Sequence, residues 1–234
     1  MSQRYVVCLK HGTKYDAEYV NVLRKMTQRN LTTPHEFVCF TEDPRGIDPG
    51  ITILPLPTIP LKGWWFKTLL FNPNLQIQGT ILFIDLDVVI FKNIDKLFEY
   101  KPGEFCVCRD FNRCFQPEWK KMNSSVVRWV TGQHPQLYNN FVKDPHTTSK
   151  RFHGDQDWLF DQVKKHYQFW PDEWIQSYKW EMRGNPKLVR QKSGQKNFTA
   201  PGEPKIKSET AVAVFHGDPN PRECVDPWCQ THWK

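Results

Sequence analysis

The segment TILFIDLDVVIF (80–91) constrains the fold more than any other part of this chain. It is rich in Ile, Leu, Val and Phe, and such a run is typical of a central β-strand that is covered on both faces. Asp85 and Asp87 interrupt it. Because side chains alternate along an extended strand, both carboxylates are expected on one side, with Leu86 on the other. The segment therefore predicts a buried strand that carries two neighbouring acidic groups.

Two carboxylates in such apolar surroundings are costly unless a cation compensates their charge. Paired carboxylate oxygens are ligands that Mg²⁺ and Mn²⁺ accept. Alternatively, Asp85 and Asp87 end the strand and pair with Lys or Arg side chains. The pair thus indicates either a divalent-metal site or a cluster of ion pairs.

Strand-like and helix-like segments alternate before this point. RYVVCLK (4–10) and EFVCFTED (36–43) are short apolar runs with β-branched residues, and each predicts a strand. Between them, apolar residues recur at helical spacing after Asp16, a candidate N-cap. The prolines of ITILPLPTIPL (51–61) favour an edge strand. Strand, helix, strand in this order predicts a mostly parallel sheet with crossover helices.

The rest of the chain continues an α/β pattern that fits one domain over residues 1–234. The stretch 139–154 is polar and loop-like, and residues 184–208, rich in Gly, Pro, Lys and Ser, predict a long loop or mobile lid. The remaining predicted elements are helices at 63–71 and 155–166 and strands at 104–110 and 210–217.

The composition is that of a globular protein, with 39% hydrophobic and 14% aromatic residues. No apolar run approaches the ~18 residues that cross a bilayer, and the N-terminus lacks a signal-peptide core. The seven cysteines are an odd number and fall largely in strand-like segments, as reduced thiols do. We therefore expect a cytoplasmic protein without a transmembrane segment.

The formal net charge is +7. Such a charge favours a polyanionic partner, such as nucleic acid, an anionic lipid surface or a phosphorylated substrate. The alternative is a mildly basic surface around an anion-binding pocket.

The tetrapeptide FHGD occurs twice, at 152–155 and 215–218. The first copy opens a predicted helix, where one aspartate can cap free N–H groups. That role does not explain two aspartates, Asp155 and Asp157, on either side of Gln156. In the second copy His216 ends a strand, and taken alone it is an ordinary strand-end histidine.

The stretch ILFIDLDVVIFKNIDKLF resembles the DxD segment of nucleotide-sugar glycosyltransferases with the GT-A fold. It is most similar to family 8, which includes glycogenin and bacterial lipopolysaccharide galactosyltransferases. KYDAEYVNVL, WWFKTLLF, MNSSVVRW, GDQDWLF and FHGDPNPR agree in the same order, so the resemblance covers nearly the whole chain. It implies a mostly parallel central sheet flanked by helices, and an enzyme that uses a nucleoside diphosphate sugar, expected to be UDP-linked, as donor.

The resemblance implies a role for each matching acidic residue. Asp85 and Asp87 hold Mn²⁺ or Mg²⁺ against the donor diphosphate, with His216 as the third metal ligand. An imidazole beside carboxylates suits manganese in particular. Residues 155–157 form the catalytic group: Asp155 grips donor hydroxyls, and Gln156 and Asp157 line the reacting face.

The resemblance also implies a set of donor-binding residues. Asn123, Ser124 and Ser125 are similar to a loop that bonds the donor sugar; alternatively, they cap a helix before VVRW. The full donor set is His11, Tyr15, Lys67, Asp85, Asn123, Ser124, Ser125, Gly217 and Arg222.

One departure from the family pattern concerns the leaving group. Family members commonly carry a lysine shortly after the last histidine, and here the sequence reads DPNPR (218–222). Arg222 is one replacement for that cation. Lys192 or Lys196, from the predicted loop, is the other.

Resemblance to family 8 implies transfer of a hexose or pentose with retention of anomeric configuration. The charge favours DNA with a hydroxymethylated pyrimidine as acceptor, as in phage enzymes that glycosylate such bases. A saccharide or lipopolysaccharide acceptor is the alternative. Two rival functions are a non-catalytic protein that binds sugar nucleotides and a divalent-metal phosphohydrolase.

Overall fold

A computed structural model describes residues 3–57, 59–61, 63–184 and 203–234. Residues 185–202, which hold Lys192 and Lys196 and most of the predicted lid, lie outside the described part. The strands are β1 (Arg4–Lys10), β2 (Glu36–Thr41), β3 (Thr52–Pro55), β4 (Thr80–Ile84), β5 (Val88–Ile90), β6 (Cys106–Arg109), β7 (Met122–Val130), β8 (Gln168–Phe169), β9 (Ile175–Ser177) and β10 (Val212–Val214).

Helices and single helical turns connect these strands. The α-helices are α1 (Ala17–Asn30), α2 (Lys96–Glu99), α3 (Pro135–Asn139), α4 (Pro145–Arg151), α5 (Asp155–Val163) and α6 (Pro227–His232). Three 3₁₀ helices, at Gly63–Phe71, Phe111–Cys114 and Pro221–Glu223, and a π-helix at Tyr178–Met182 complete the set in the described residues.

The strands form two sheets. The larger has the order β3-β2-β1-β4-β7-β6-β8, and the smaller has the order β5-β10-β9. In the larger sheet β7 runs antiparallel to both of its neighbours, and the other pairs are parallel. The predicted mostly parallel sheet flanked by helices is therefore confirmed, with β3 at the edge as its prolines require.

Apolar side chains cover both faces of the central sheet. Alternation along β1 sends Val6 and Cys8 to a core shared with α1 and the smaller sheet. It sends Tyr5 and Val7 to a second core, shared with the 3₁₀ helix Gly63–Phe71, α3 and α5. Asp16 caps α1 as predicted, since its side chain accepts a hydrogen bond from the Glu18 amide at 3.1 Å.

The prediction of one continuous strand over 80–91 is wrong. β4 ends at Ile84, and β5 begins at Val88 in the other sheet, where it pairs with β10. Asp85 still donates its amide to the Ser125 carbonyl, at 2.8 Å, and the Asp87 carbonyl accepts from the Phe215 amide at 2.9 Å. The two aspartates therefore form the corner between the sheets, because a polar corner can satisfy charges that a continuous apolar strand cannot.

Two further predictions from the sequence need correction. The polar stretch 139–154 contains α4, which Asp144 caps by accepting from the Thr147 amide at 2.9 Å. Residues 122–130 form the buried strand β7, so Asn123, Ser124 and Ser125 neither cap a helix nor lie in a loop. No helix in the described residues is long and apolar enough to span a membrane.

Candidate donor and metal site

A cavity of about 270 Å³ lies where β1 and β4 end. In parallel α/β sheets the carboxyl ends of the strands are the usual place for a ligand crevice. The segment after β1, the 3₁₀ helix Gly63–Phe71 and the corner between the sheets all contribute to its walls. Its polar and aromatic lining residues are His11, Lys14, Tyr15, Trp64, Lys67, Asp85 and Asp87.

The ammonium group of Lys67 lies at the centre of a cluster of acidic side chains. Its Nζ lies 2.8 Å from both carboxylate oxygens of Asp85 and 3.9 Å from Asp155, and it donates to Ser124 Oγ at 3.2 Å. Asp155 is 4% exposed, and its Oδ2 is buried without a hydrogen-bond partner. A buried carboxylate oxygen without such a partner is costly, so this atom is ready to accept a hydroxyl hydrogen.

The two aspartates of the corner have different surroundings. Burial raises the pKa of Asp85 to about 6; Lys67 opposes this shift, and the neighbouring Asp87 adds to it. The Asp87 carboxylate accepts a hydrogen bond from the Tyr15 hydroxyl at 3.2 Å. Burial, followed by the charge of Asp87, raises the pKa of that hydroxyl, so Tyr15 remains a neutral donor.

The imidazole of His216 is half-buried beside the smaller sheet. Its Nε2 lies 2.5 Å from Ser177 Oγ, and its ring stacks on Phe111 at 5.3 Å. Ser177 Oγ accepts from the Trp180 amide and has a second lone pair for Nε2–H, and in that tautomer Nδ1 is unprotonated. Burial, with a contribution from the Lys179 charge, lowers the pKa of His216 to about 3, so the ring is neutral at pH 7.

Lys179 is a candidate site residue that the sequence did not reveal. It is 3% exposed, and its Nζ donates to the carbonyls of His216 and Asp218, each at 2.7 Å. Burial lowers its pKa to about 8, while Asp87 and Asp218 oppose the shift. In the sequence only its aromatic neighbours, Tyr178 and Trp180, distinguish Lys179 from other lysines, since no motif contains this residue.

Gly217 lies next to that ammonium and has a backbone conformation that favours glycine. Its φ of +88° lies in the left-handed region, and a Cβ there would be 3.4 Å from Lys179 Nζ. Arg222, in contrast, is directed elsewhere: it pairs with Asp16 and Glu18 at the start of α1 and covers the Tyr19 ring. Lys179 thus contacts the backbone of the second FHGD copy directly, and Arg222 is engaged at the start of α1.

The other predicted residues lie at varying distances from this centre. Asp157 points to Lys121, whose Nζ is 3.1 Å away, and Gln156 is half-buried beside it at the start of α5. The His11 ring is tilted against Phe66, with ring centroids 4.0 Å apart, and its Nδ1 lies 3.1 Å from a Glu42 oxygen without good hydrogen-bond geometry. Asn123 accepts from the Ser125 amide at 3.0 Å. The structure thus joins Lys67, Asp85, Asp155 and Ser124 directly. His11, Tyr15 and Asp87 line the same cavity as Lys67 and Asp85.

The two carboxylates of the corner fit a divalent cation. Both line the same cavity, and their oxygens are hard donors of the kind that Mg²⁺ and Mn²⁺ accept. His216 is next to Phe215, whose amide bonds the Asp87 carbonyl, but its imidazole faces Ser177. Across the described ranges, no three His, Cys, Asp or Glu side chains already lie close enough together to hold one ion.

No model of a protein family matches this sequence, and no curated protein matches it. Solved structures do resemble it. The glycosyltransferase GlyE of Streptococcus pneumoniae TIGR4 is 13% identical with a TM-score of 0.65, over 94% of this chain and 56% of that one. The present chain thus spans little more than half the length of GlyE.

A second structure matches almost end to end. The galactosyltransferase LgtC, in complex with donor and acceptor sugar analogs, is 14% identical with a TM-score of 0.62, over 97% of this chain and 93% of that one. The bifunctional glycosyltransferase WbbM matches at 11% identity and a TM-score of 0.56, over 94% of this chain and 47% of that one. The chain therefore has the GT-A type of fold that these glycosyltransferases share.

Proposed function

We propose that this protein is a metal-dependent glycosyltransferase that moves a sugar from a nucleoside diphosphate donor, UDP-linked in our proposal, to a hydroxyl acceptor. The observation that carries the proposal is the set of three carboxylates, Asp85, Asp87 and Asp155, placed around Lys67 at the carboxyl edge of the sheet. This acidic group lies in a protein of net charge +7, and it is only partly neutralised by its own lysine. Such a group suits a divalent cation together with sugar hydroxyls.

Asp85 and Asp87 are the proposed metal ligands, with His216 as a third. The neutral imidazole of His216 supports this role, because only an unprotonated nitrogen can coordinate a metal. When bound, Mn²⁺ or Mg²⁺ supplies Lewis-acid stabilisation of the donor diphosphate.

Asp155 would orient the donor sugar. Its buried Oδ2, which lacks a hydrogen-bond partner, can accept a hydrogen bond from a sugar hydroxyl, and Ser124 contacts the same lysine, Lys67. Such a bond fixes the position of the anomeric carbon relative to the acceptor. Gln156 and Asp157 follow on the same helix, and we propose that they line the reacting face.

Lys179 would assist departure of the nucleoside diphosphate. As the glycosidic bond breaks, negative charge develops on the leaving phosphate oxygen, and a fixed ammonium close to it lowers the barrier. Lys179 is held by two backbone carbonyls rather than by a carboxylate, so its charge is not cancelled by an ion pair at contact distance. We further propose retention of anomeric configuration, on the resemblance to family 8.

For the acceptor we propose a hydroxymethylated pyrimidine in DNA, and a saccharide is the alternative outcome of the same assay. The net charge supports a polyanionic acceptor. Trp64, 52% exposed at the cavity, offers an aromatic face on which a base or a sugar ring can stack.

The test is incubation with MnCl₂ and a panel of nucleotide sugars, with hydroxymethylated DNA or oligosaccharides, followed by mass analysis. An acceptor that gains one sugar mass while free nucleoside diphosphate appears supports transfer. Asp87→Asn and Asp155→Asn should each reduce turnover by about 10²-fold or more. Asp161→Asn, an exposed aspartate on the same helix as Asp155, is the matched control and should retain activity.

The assay also separates the rival functions. Donor binding without any turnover would indicate a sugar-nucleotide-binding protein. Release of inorganic phosphate from phosphate esters, without sugar transfer, would indicate a phosphohydrolase. Full activity of Asp87→Asn with EDTA present would overturn the metal assignment.

A further inference from the structure

An apolar groove, larger than the candidate donor cavity, lies on the other side of the 3₁₀ helix Gly63–Phe71. Its volume is about 970 Å³. The proline-rich segment after β3 forms one wall with Pro57, Ile59 and Leu61. Leu69 and Leu75 line it from the 3₁₀ helix and the turn that follows. Lys67 of the same helix lines the donor cavity, so the two sites are separate.

The chemistry of the lining excludes several ligand classes. None of the described residues that line the groove is Asp, Glu, Lys or Arg, and its polar side chains include Asn72, Asn74, Gln76, His146 and Ser149. The interior therefore offers no fixed charge for burying the diphosphate of a nucleotide, and cations occur only beside the groove. A peptide strand would form few backbone hydrogen bonds with the proline wall, because Pro57 and Pro60 have no backbone N–H to donate. An apolar lining and a volume within the ~300–1,000 Å³ of typical ligand pockets fit an alkyl chain.

Apolar surface remains exposed on both walls of the groove. Ile59 on the proline wall is 36% exposed, and Val142, after α3, is 40% exposed. Large apolar side chains exposed on facing walls of one concave surface are typical of a binding site and not of scattered surface residues.

Two exposed cations are sequence neighbours of residues that line the groove. Lys143 follows Val142, and Lys150 follows Ser149 in α4. Arg151, two residues beyond Ser149, is on the opposite side of that helix, and its guanidinium lies over the Phe152 ring. Asp144, the acidic residue of this stretch, is engaged in capping α4. An apolar interior beside exposed cations complements a molecule with an alkyl chain and an anionic head.

We propose that this groove binds one fatty-acyl chain, with its anionic head group at Lys143 and Lys150. The occupant is a single-chain anionic amphiphile taken up as a monomer, since the apolar surface is concave rather than a protruding patch. The proposal does not depend on sugar transfer, because it involves neither the donor cavity nor the carboxylates around Lys67.

Binding of fatty acids of increasing length to the intact protein, measured by calorimetry below their micelle concentrations, tests the proposal. From octanoate to decanoate to dodecanoate, each added methylene should tighten binding about fourfold. Decyltrimethylammonium, with the same chain as a C10 acid and the opposite charge, should bind at least about tenfold more weakly than decanoate. Equal affinity along the length series, or no binding of any acid, would overturn the proposal.

Two variants locate the site. Ile59→Asp and Val142→Asp each place a carboxylate on a wall of the groove at an exposed position, so the fold should tolerate them. Each should weaken dodecanoate binding at least about tenfold. Val225→Asp is the matched control: Val225 is 44% exposed and is not among the described lining residues, so binding should be unchanged.

The remaining outcomes also decide the question. Val142→Leu keeps the wall apolar and should retain affinity. Dodecanoate binding that survives both aspartate variants would place the ligand elsewhere. Retention of the protein on phosphatidylglycerol vesicles without binding of monomeric acids would identify a membrane-surface patch and contradict the proposal.

Discussion

Lys67 Nζ lies 2.8 Å from each carboxylate oxygen of Asp85, at the corner where the chain passes from one sheet to the other. The ammonium thus occupies the side of Asp85 that faces Ser124 and Asp155. It opposes the effect of burial, which raises the pKa of Asp85 to about 6 even with Lys67 in place. The folded corner, and the acidic group available to a ligand, both depend on this one cation.

Replacing Lys67 with methionine should destabilise the fold by about 1.5–3 kcal/mol at pH 8, because it removes a charged hydrogen-bond partner from Asp85. The loss should be smaller at pH 5. A carboxyl whose folded pKa exceeds its unfolded value binds more protons when folded, so stability decreases as pH rises from about 4 through the folded pKa. Without Lys67 that folded pKa rises further, and the decrease extends to higher pH.

Urea unfolding of the wild type and Lys67→Met between pH 4.5 and 8.5 measures this difference. Lys121→Met is the matched control, since Lys121 pairs with Asp157 at a more exposed position. A loss of stability in Lys67→Met that is the same at both ends of the pH range would show that the Lys67–Asp85 contact is not the cause.

The second prediction concerns Lys179 and the pH dependence of turnover. If its charge assists departure of the diphosphate, kcat/KM should fall as pH rises above about 8, the pKa of this lysine in the free protein. Lys179→Arg keeps its charge at all these pH values, so the alkaline decrease should disappear while activity remains. Lys179→Met should lose about 10²–10³-fold in kcat at pH 7.

An alkaline decrease that persists unchanged in Lys179→Arg would exclude this lysine as its source. Lys14→Arg serves as the control, because Lys14 also lines the donor cavity but is exposed. Its profile should keep the wild-type form.

The sequence predicted the parts of the site that local pattern encodes. Asp85 and Asp87 stand out in an apolar run, and Asp155 follows a glycine at the start of a helical period. The sequence did not predict that the run 80–91 divides between two sheets. A strand's partners are distant in the chain, and β5 pairs with β10, at Val212–Val214. A run of apolar residues indicates that a segment is buried, but it does not indicate which strands that segment pairs with.

Lys179 shows why the rest of the site is invisible in the sequence. It lies in a π-helix of five residues, and its hydrogen-bond acceptors are 37 and 39 residues further along the chain. Its burial and its low pKa arise only when these segments meet. Arg222 was predicted as the cation that assists the leaving group because it is close to His216 in sequence, and in the structure its guanidinium pairs with Asp16 and Glu18.

The third prediction concerns acid stability and His216. Its pKa is about 3 in the folded protein and near 6.5 when unfolded, so the unfolded chain binds the extra proton. Stability should therefore decrease as pH falls below about 6.5, by up to about 1.4 kcal/mol per pH unit from this group. His216→Gln lacks this contribution, so its urea midpoint should change less between pH 6.5 and 4.5 than that of the wild type.

His166→Gln, at an exposed histidine, is the control and should follow the wild type. Identical profiles for all three proteins would contradict the prediction.

The last prediction concerns backbone strain at Gly217, whose neighbours His216 and Asp218 hold Lys179. Alanine there must adopt a φ of +88°, while its Cβ would only be in van der Waals contact with Lys179 Nζ, at 3.4 Å. The left-handed conformation should cost about 1–2 kcal/mol of stability. A backbone shift that relieves this strain moves the two carbonyls that hold the ammonium, so kcat should fall as well. Gly132→Ala is the matched control: φ is +85° at Gly132, and a Cβ there would meet nothing within 4 Å, so it should lose comparable stability and no activity. Thermal unfolding and kcat of both variants provide the comparison. Equal activity in Gly217→Ala and Gly132→Ala would show that the backbone at Gly217 has no part in turnover.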